Sequence, residues 1–142
     1  MFCTGIFGEK DKGAYSIVLS GGGYNDQDDG HIIEYSGTES KDSTPTEATN
    51  ALIVSKDLGN PIRVIRSSQL VKSNKYRPEL GLRYDGLYQV KDYKLVNEAK
   101  AMYRFHLERC EGQEPIRCED NAARRPTIFE VEKYQELKKK VW

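Results

Sequence analysis

Residues 14–30 read AYSIVLSGGGYNDQDDG, so an apolar, β-rich run ends in a loop of glycine, tyrosine and aspartate. The run Ala14–Leu19 has the length and composition of a buried strand. Glycine lets the loop backbone approach a ligand closely, because it lacks a Cβ. Tyr24 and Tyr35 offer flat apolar faces, and an aspartate between them can accept hydrogen bonds from an amino group. This segment predicts a pocket for a flat ligand that carries an amine.

The aspartates of this loop also suggest calcium, but the spacing of an EF-hand is absent. Counted from Asp26, glycine stands at the fifth position instead of the sixth, and the twelfth position is Gly37 instead of glutamate. No Gly-Lys-Ser/Thr sequence closes the glycine run as in a phosphate-binding P-loop, and no dinucleotide fingerprint opens a helix. Composition alone favours an acidic hairpin turn with solvated carboxylates. We expect neither a metal nor a cofactor.

The rest of the chain is a series of short strand-like runs followed by one helix. A bend or bulge is expected at Gly86, because an isolated glycine weakens a strand. The capping box Thr127-x-x-Glu130 predicts the start of a C-terminal helix whose apolar side includes Val131 and Tyr134. This pattern predicts an α+β, strand-dominated barrel or sandwich with a terminal helix. The other predicted strands are Ile32–Tyr35, Asn50–Ser55, Ile62–Arg66, Arg83–Val90 and Met102–Arg109.

The length and the charge distribution restrict the classes of function. A chain of 142 residues suits one domain with one core. Lys+Arg and Asp+Glu balance at 22 each. The charged residues between positions 26 and 47 are nevertheless nearly all acidic, and those between positions 63 and 83 are nearly all basic. A neutral total can therefore hide a basic surface that meets phosphates. Three cysteines without Cys-x-x-Cys spacing are typical of a reduced intracellular compartment, and no apolar run is long enough to span a membrane.

Several short motifs, taken in order, resemble the SRA (SET and RING associated) domain. The segment Tyr84-Asp85-Gly86-Leu87-Tyr88 matches the signature from which this family takes its other name, YDG. The matches run from about Gly5 to Arg109, so we expect an SRA-YDG-like domain at 1–110, with a connector and helix at 111–142. The other matching segments are Gly5–Gly8, Tyr15–Gly22, Asp26-x-Asp28-x-Gly30, Tyr35–Gly37, Asn50-x-Leu52, Pro61–Arg66 and Lys75-Tyr76-x-Pro78.

The resemblance implies a twisted, PUA-like β-barrel that flips 5-methylcytosine out of double-stranded DNA without reacting with it. In this sequence, Tyr24 and Tyr35 would sandwich the base, and Asp26 would accept a hydrogen bond from its amino group. Ser36 would meet the remaining base edge, and the backbone of Gly22 and Gly23 would line the pocket. The implied location is the nucleus, and histone-modifying or other chromatin proteins are further expected partners. Phosphates would meet basic residues of the 63–77 stretch, namely Arg63, Arg66, Lys72, Lys75 and Arg77.

The sequence also departs from the family pattern. It begins almost at Gly5-Ile6-Phe7-Gly8, so we expect a missing barrel edge and a reduced minor-groove contact. The segment 38–49 lacks the long basic finger of some members. The pocket loop is one residue short: counting back from Gly30 selects Asp26 as the base reader, whereas counting forward from Tyr24 selects Gln27. We prefer the first count.

These departures leave two other functions open. The first is a degenerate domain that binds chromatin proteins without strong DNA binding. The second is a nuclease or another DNA-modifying enzyme, which is disfavoured because 142 residues leave no room for a second domain.

Overall fold

The computed structural model describes residues 5–9, 11–21, 26–118 and 128–141. Within these ranges the chain forms one seven-stranded sheet and two helices, so the predicted strand-dominated α+β class is confirmed. The strands are β1 (Ile6–Glu9), β2 (Gly13–Leu19), β3 (Gln27–Asp28), β4 (Ile32–Ser36), β5 (Ile62–Ser67), β6 (Leu82–Asn97) and β7 (Met102–Arg109). The helices are α1 (Glu47–Leu58) and α2 (Ile128–Val141).

The sheet has the strand order β1-β2-β5-β6-β7-β4-β3. Only β2 and β5 pair in parallel among the described strands, and all other neighbours are antiparallel. Alternate residues of the central strands point into one apolar core, as the period of two requires. Fully buried members of this core include Ile17, Ile33, Val64, Tyr88, Phe105 and Leu107. The two-residue strand β3, which follows the glycine loop, lies at one end of this sheet.

The predicted bulge at Gly86 is confirmed in β6. Arg63 of β5 pairs with Leu87 and Ile65 pairs with Tyr84, so one β5 residue lies opposite two β6 residues. Gly86 has φ +106°, a conformation that side-chain-bearing residues rarely adopt. A Cβ added there would also lie 2.7 Å from Oε1 of Gln113. The positive φ therefore favours glycine at this position, and any side chain there would also have to displace the end of the Gln113 side chain.

The prediction of a strand at Asn50–Ser55 is wrong, because these residues lie inside α1. The helix begins after the N-cap Thr46, whose Oγ1 accepts a hydrogen bond from the N–H of Thr49 at 3.2 Å. It ends at Gly59, which adopts the left-handed conformation with φ +71°. One face of the helix is buried through residues spaced three and four apart, Ala48, Ala51, Leu52 and Ser55.

Ser55 fixes α1 to the sheet. Its Oγ accepts a hydrogen bond from the N–H of Ala14 at 2.8 Å and donates one to the carbonyl of Ala14 at 3.2 Å. Both bonds are buried, so the hydroxyl satisfies two backbone groups of β2 that would otherwise be buried without these hydrogen bonds. The helix thereby covers the strand that leads into the glycine loop.

The C-terminal helix was predicted from its capping box, and α2 confirms it from Ile128 onward, whereas Thr127 lies outside the described residues. Tyr134, on the predicted apolar side, places its hydroxyl 3.4 Å from where a Cβ of Gly81 would be. Glu130 forms an ion pair with Arg117 at 3.7 Å. The division at residue 110 stays a prediction. Neither helix in the described ranges has both the length and the apolar composition needed to cross a membrane.

Candidate functional site

A cavity of about 280 Å³ opens where β2 ends, beside β3 and the loop that follows β5. Two carboxylates, those of Asp26 and Asp28, reach it from one side. The β5–β6 loop also lines it, with apolar Leu70 and Val71 and polar Ser73 and Asn74. The remaining lining residues are Leu19, Ser20, Gly21 and Ile33. Carboxylates next to apolar surface suit a ligand that is flat, uncharged and able to donate hydrogen bonds.

Asp26 is joined to β4 by hydrogen bonding to Ser36. Its Oδ1 accepts from the N–H of Ser36 at 2.8 Å, so these two predicted pocket residues are in contact. Partial burial of the carboxyl raises the pKa of Asp26 above its ordinary value, although the bond from Ser36 favours the charged form. A carboxylate has room for further donors beyond one N–H. Asp26 is therefore placed and equipped to accept a hydrogen bond from a ligand in the cavity.

The other predicted pocket residues divide into two groups. Tyr35 lies on β4, 8% exposed, and points to the same side as Ile33, which lines the cavity. Gly22, Gly23 and Tyr24 lie outside the described residues. Tyr35 is not among the described residues that line the cavity, so both aromatic walls and the glycine lining stay predictions.

Arg66 was expected to meet a DNA phosphate, and the structure corrects this expectation. Its side chain is 0% exposed. Its Nε donates to Oδ2 of Asp28 at 2.8 Å and its Nη2 donates to Oδ1 of Asp28 at 2.7 Å, a bidentate ion pair. Its Nη1 donates to Oδ2 of Asp85 at 2.7 Å. Because Nε, Nη1 and Nη2 all donate to these carboxylates and the side chain is buried, the guanidinium is not available to bind a phosphate at the protein surface.

The aromatic surroundings of Arg66 complete its burial. The guanidinium carbon lies 5.5 Å from the ring centre of Tyr76 and 5.9 Å from that of Tyr88, within the range of cation–π attraction. The carbonyl of Gly30 accepts from Arg66 Nη2 at 3.1 Å and also from the hydroxyl of Tyr88. No buried side-chain polar atom in the described ranges lacks a hydrogen-bond partner. The buried charge is thus fully compensated, as a stable buried ion pair requires.

Asp85 is the buried centre of the YDG segment and binds two arginines. Besides Arg66, Arg83 donates to it from Nε at 2.6 Å and from Nη2 at 2.8 Å. The same Nη2 of Arg83 donates to the carbonyl of Tyr76. The YDG segment therefore connects β6 with the loop that lines the cavity and, through Arg66, with Asp28.

Asp28 carries the strongest link between the cavity and this network. Burial alone would raise the pKa of Asp28, but the hydrogen bonds and charge of Arg66 lower it overall. Asn74 adds a hydrogen bond from Nδ2 to Oδ2 at 3.0 Å, and the N–H of Gly30 adds one to Oδ1 at 3.0 Å. Sequence reasoning did not identify Asn74 or the role of Arg66. Strand alternation could have indicated that Arg63 and Arg66, three residues apart, face opposite sides.

The remaining predicted phosphate contacts differ in exposure. Arg63, Lys72 and Lys75 are exposed. Lys75 Nζ lies 5.2 Å from the ring centre of Tyr76. Arg77 is half-buried, and its Nε donates to the carbonyl of Ser68 at 2.8 Å. Lys72 stands directly between Val71 and Ser73, two residues that line the cavity, so its charge is the nearest of these to the cavity along the chain.

A second polar cluster lies on the face of β4 and β7 that points away from the core. His106 contacts Glu34 Oε1 through Nδ1 at 2.5 Å and Glu108 Oε2 through Nε2 at 2.9 Å. These two carboxylates, Glu34 first, raise the pKa of His106. Arg104 Nε lies 3.8 Å from Glu34 Oε2. In the described ranges, no group of three or more His, Cys, Asp or Glu residues is arranged to hold a metal ion.

Comparisons with known proteins agree with the motif order. The sequence profile of the SAD/SRA domain matches residues 1–113. The E3 ubiquitin-protein ligase UHRF1 of Danio rerio is 36% identical over an alignment of 118 residues, and the match covers 63% of this chain and 15% of that protein. This chain therefore spans about one seventh of that relative's length.

Two solved structures extend the agreement to the fold. The complex of the SUVH5 SRA domain with methylated CHH DNA matches with a TM-score of 0.61 and 33% identity, over 80% of this chain and 77% of that one. The modification-dependent TagI restriction endonuclease matches with a TM-score of 0.64 and 33% identity, over 77% of this chain and 42% of that one. The sheet described above therefore has the architecture of SRA structures, as the predicted barrel fold requires.

Proposed function

The chain belongs to the SAD/SRA domain family, and we propose that it reads methylated DNA by holding a flipped 5-methylcytosine in the cavity beside Asp26. The observation that carries this proposal is the position of Asp26, held by the N–H of Ser36 at 2.8 Å in the lining of that cavity. Cytosine presents an amino donor at the edge that a carboxylate recognises. A cavity of about 280 Å³ is small for a drug-sized ligand and suits a single base.

The energetics of base flipping are compatible with this pocket. Taking a base out of the stack costs a few kcal/mol, and stacking on an aromatic ring returns about 1–3 kcal/mol. Tyr35 and Tyr24 are the proposed rings, and Asp26 adds a partly desolvated hydrogen bond. The methyl group itself contributes only about 0.8 kcal/mol when buried, which is about a fourfold preference over cytosine. Thymine offers a carbonyl in place of the amine, so Asp26 rejects it more strongly.

Phosphate contacts supply the part of the affinity that does not depend on sequence. Arg63, Lys72 and Lys75 are the proposed contacts, because all three are exposed. Arg77 contributes less in this proposal, since its Nε already donates to Ser68. Arg66 is excluded from this set by its burial.

We assign no chemical reaction to this chain, and its proposed location is the nucleus, where its ligand is DNA. The ligase activity in the name of UHRF1 does not transfer, because the similarity covers 15% of that protein. The nuclease activity in the name of the TagI enzyme does not transfer either, because 42% of that chain is matched. Association with histone-modifying or other chromatin proteins is part of the proposal and is testable separately.

The deciding experiment measures binding to DNA duplexes that differ at one base pair, which is 5-methylcytosine·guanine, cytosine·guanine or thymine·adenine. The expected order of affinity is 5-methylcytosine, then cytosine, then thymine, and pairing thymine with adenine avoids a mismatch that would lower the cost of flipping. Base extrusion is followed with 2-aminopurine placed next to the target, since its fluorescence rises when stacking is lost. Equal, weak binding to all three duplexes would overturn the proposal and favour a domain that binds chromatin proteins instead.

A further inference from the structure

The short strand β3 (Gln27–Asp28) directly follows Asp26, the proposed base-reading residue. It has two residues, lies at the end of the sheet and pairs with β4 through Gln27 opposite Glu34 and Asp28 opposite Ile33. So short an edge strand has few ladder hydrogen bonds to fix its position. Its position must therefore depend on contacts made by its side chains.

Asp28 makes those contacts. Its two carboxylate oxygens accept four hydrogen bonds, two from Arg66, one from Asn74 and one from the N–H of Gly30, all between 2.7 and 3.0 Å. Its side chain is 9% exposed. Asp26, two residues earlier, is held by Ser36 and is more exposed than Asp28. Asp28, the more firmly held of the two aspartates, therefore has less capacity left to bind a ligand than Asp26 has.

We propose that Arg66 and Asn74 act as a clamp on Asp28 and that this clamp positions Asp26 for base recognition. The inference rests on the proposed function. Arg66 pairs with Asp28 and so leaves Asp26 as the carboxylate available to the base. Asn74 connects the β5–β6 loop to β3, because Asn74 and Asp28 both line the cavity and are hydrogen-bonded to each other. Arg66 and Asn74 are positioning residues, since they act on the base only through Asp26.

The amide of Asn74 has two separable contacts. Its Nδ2 donates to Asp28, and its Oδ1 accepts from the N–H of Tyr76 at 2.8 Å, which closes the local turn. Asn74→Asp keeps an acceptor for Tyr76 but replaces the donor to Asp28 with a second carboxylate. Asn74→Ala removes both contacts. Comparing the two variants separates the clamp from the turn.

The test uses the full chain and two measurements. In free protein, the exchange rate of the Ser36 amide proton reports how firmly Asp26 is held. In complexes, the ratio of affinities for 5-methylcytosine and thymine duplexes reports base recognition. Asn74→Asp and Asn74→Ala should each raise the exchange rate and lower the ratio about five- to tenfold, the usual effect of one hydrogen bond.

The matched control is Asn97→Ala, at the end of β6, where Asn97 Oδ1 accepts from the N–H of Lys100 at 3.2 Å. It should change neither measurement. If Asn74→Asp leaves both unchanged while Asn74→Ala alters them, Asn74 serves only the turn and the clamp is refuted. If the wild type shows no preference for 5-methylcytosine but Asn74→Asp still raises Ser36 exchange, the clamp stands and the proposed function falls.

Discussion

Asp28 and Arg66, 38 residues apart in sequence, meet through two parallel hydrogen bonds of 2.8 and 2.7 Å in the interior of the protein. The pair joins the pocket loop to β5, and Asp85 joins the same arginine to β6. Removing one member of such a network leaves its partners charged and desolvated. The loss of stability is therefore larger than for one isolated ion pair at the surface.

Arg66→Ala should lower the free energy of unfolding by about 3–5 kcal/mol, the usual effect of breaking a buried ion pair. The substitution leaves the carboxylates of Asp28 and Asp85 without their shared cation. The measurement is equilibrium unfolding in urea. Arg63→Ala, on the same strand but exposed, should change the free energy by no more than about 0.5 kcal/mol. Similar effects of the two variants would contradict the burial argument.

Asp26→Ala should weaken binding to a 5-methylcytosine duplex about ten- to a hundredfold, because a hydrogen bond to a charged group contributes about 1.5–3 kcal/mol. Duplex titrations with the wild type and the variant give this factor. The preference over cytosine should disappear with it, leaving binding through the phosphates.

Asp26→Asn is the fold control for that experiment. It keeps an oxygen that can accept the hydrogen bond from Ser36, and burial already disfavours the charge on Asp26. Its free energy of unfolding should therefore stay within about 0.5 kcal/mol of the wild type. A large loss of stability would mean that the carboxylate serves the fold instead of the ligand.

Lys72→Ala should weaken binding to every duplex by a similar factor, because a phosphate contact carries no sequence information. The slope of log affinity against log salt concentration should become less steep by about 0.9 if Lys72 neutralises one phosphate. Lys41→Ala, an exposed lysine in the acidic segment, is the control and should leave the slope unchanged. A change confined to methylated duplexes would place Lys72 at the base instead of the backbone.

His106 should make stability depend on pH in the neutral range. Its pKa is raised in the folded state by Glu34 and Glu108, so its stabilising contribution is complete below the ordinary value of about 6.5. The contribution is lost as pH rises through the raised folded-state pKa. The destabilisation caused by His106→Gln should accordingly be larger at pH 6 than at pH 9, as measured by urea unfolding at both values. In a Glu34→Gln background this difference should shrink, and an unchanged difference would exclude Glu34 as its cause.

The sequence predicted the strands more successfully than the helix α1 and the pocket supports. Period-two alternation marks Met102–Arg109 correctly because one face of β7 is buried. The apolar, β-branched run at Ile53-Val54 resembles a strand, whereas the caps Thr46 and Gly59 on either side indicate a helix. Packing of one helix face on β2 decides between the two, and tertiary contacts of this kind are not readable from a local window.

The site was predictable in part for a similar reason. Asp26 and Ser36 were identified by resemblance; the structure joins them by a hydrogen bond, and Asp26 lines the cavity. Arg66 was misassigned because its partners Asp28 and Asp85 come from distant parts of the chain, and charge composition alone treats every arginine as a surface cation. The contact of Asn74 with Asp28 could not be predicted from the local sequence, because polar residues are common in loops and do not indicate their partners.

The bulge at Asp85-Gly86 changes the parity of β6. Residues three apart on a regular strand face opposite sides, yet Asp85 and Tyr88 are both buried and both contact Arg66. The extra residue accounts for this, because it shifts the alternation by one place and brings the carboxylate and the phenol to the same side. The bulge at the glycine of the YDG segment thus lets β6 present both a counter-charge and an aromatic ring to the buried arginine. A regular strand would present only one of the two on that side.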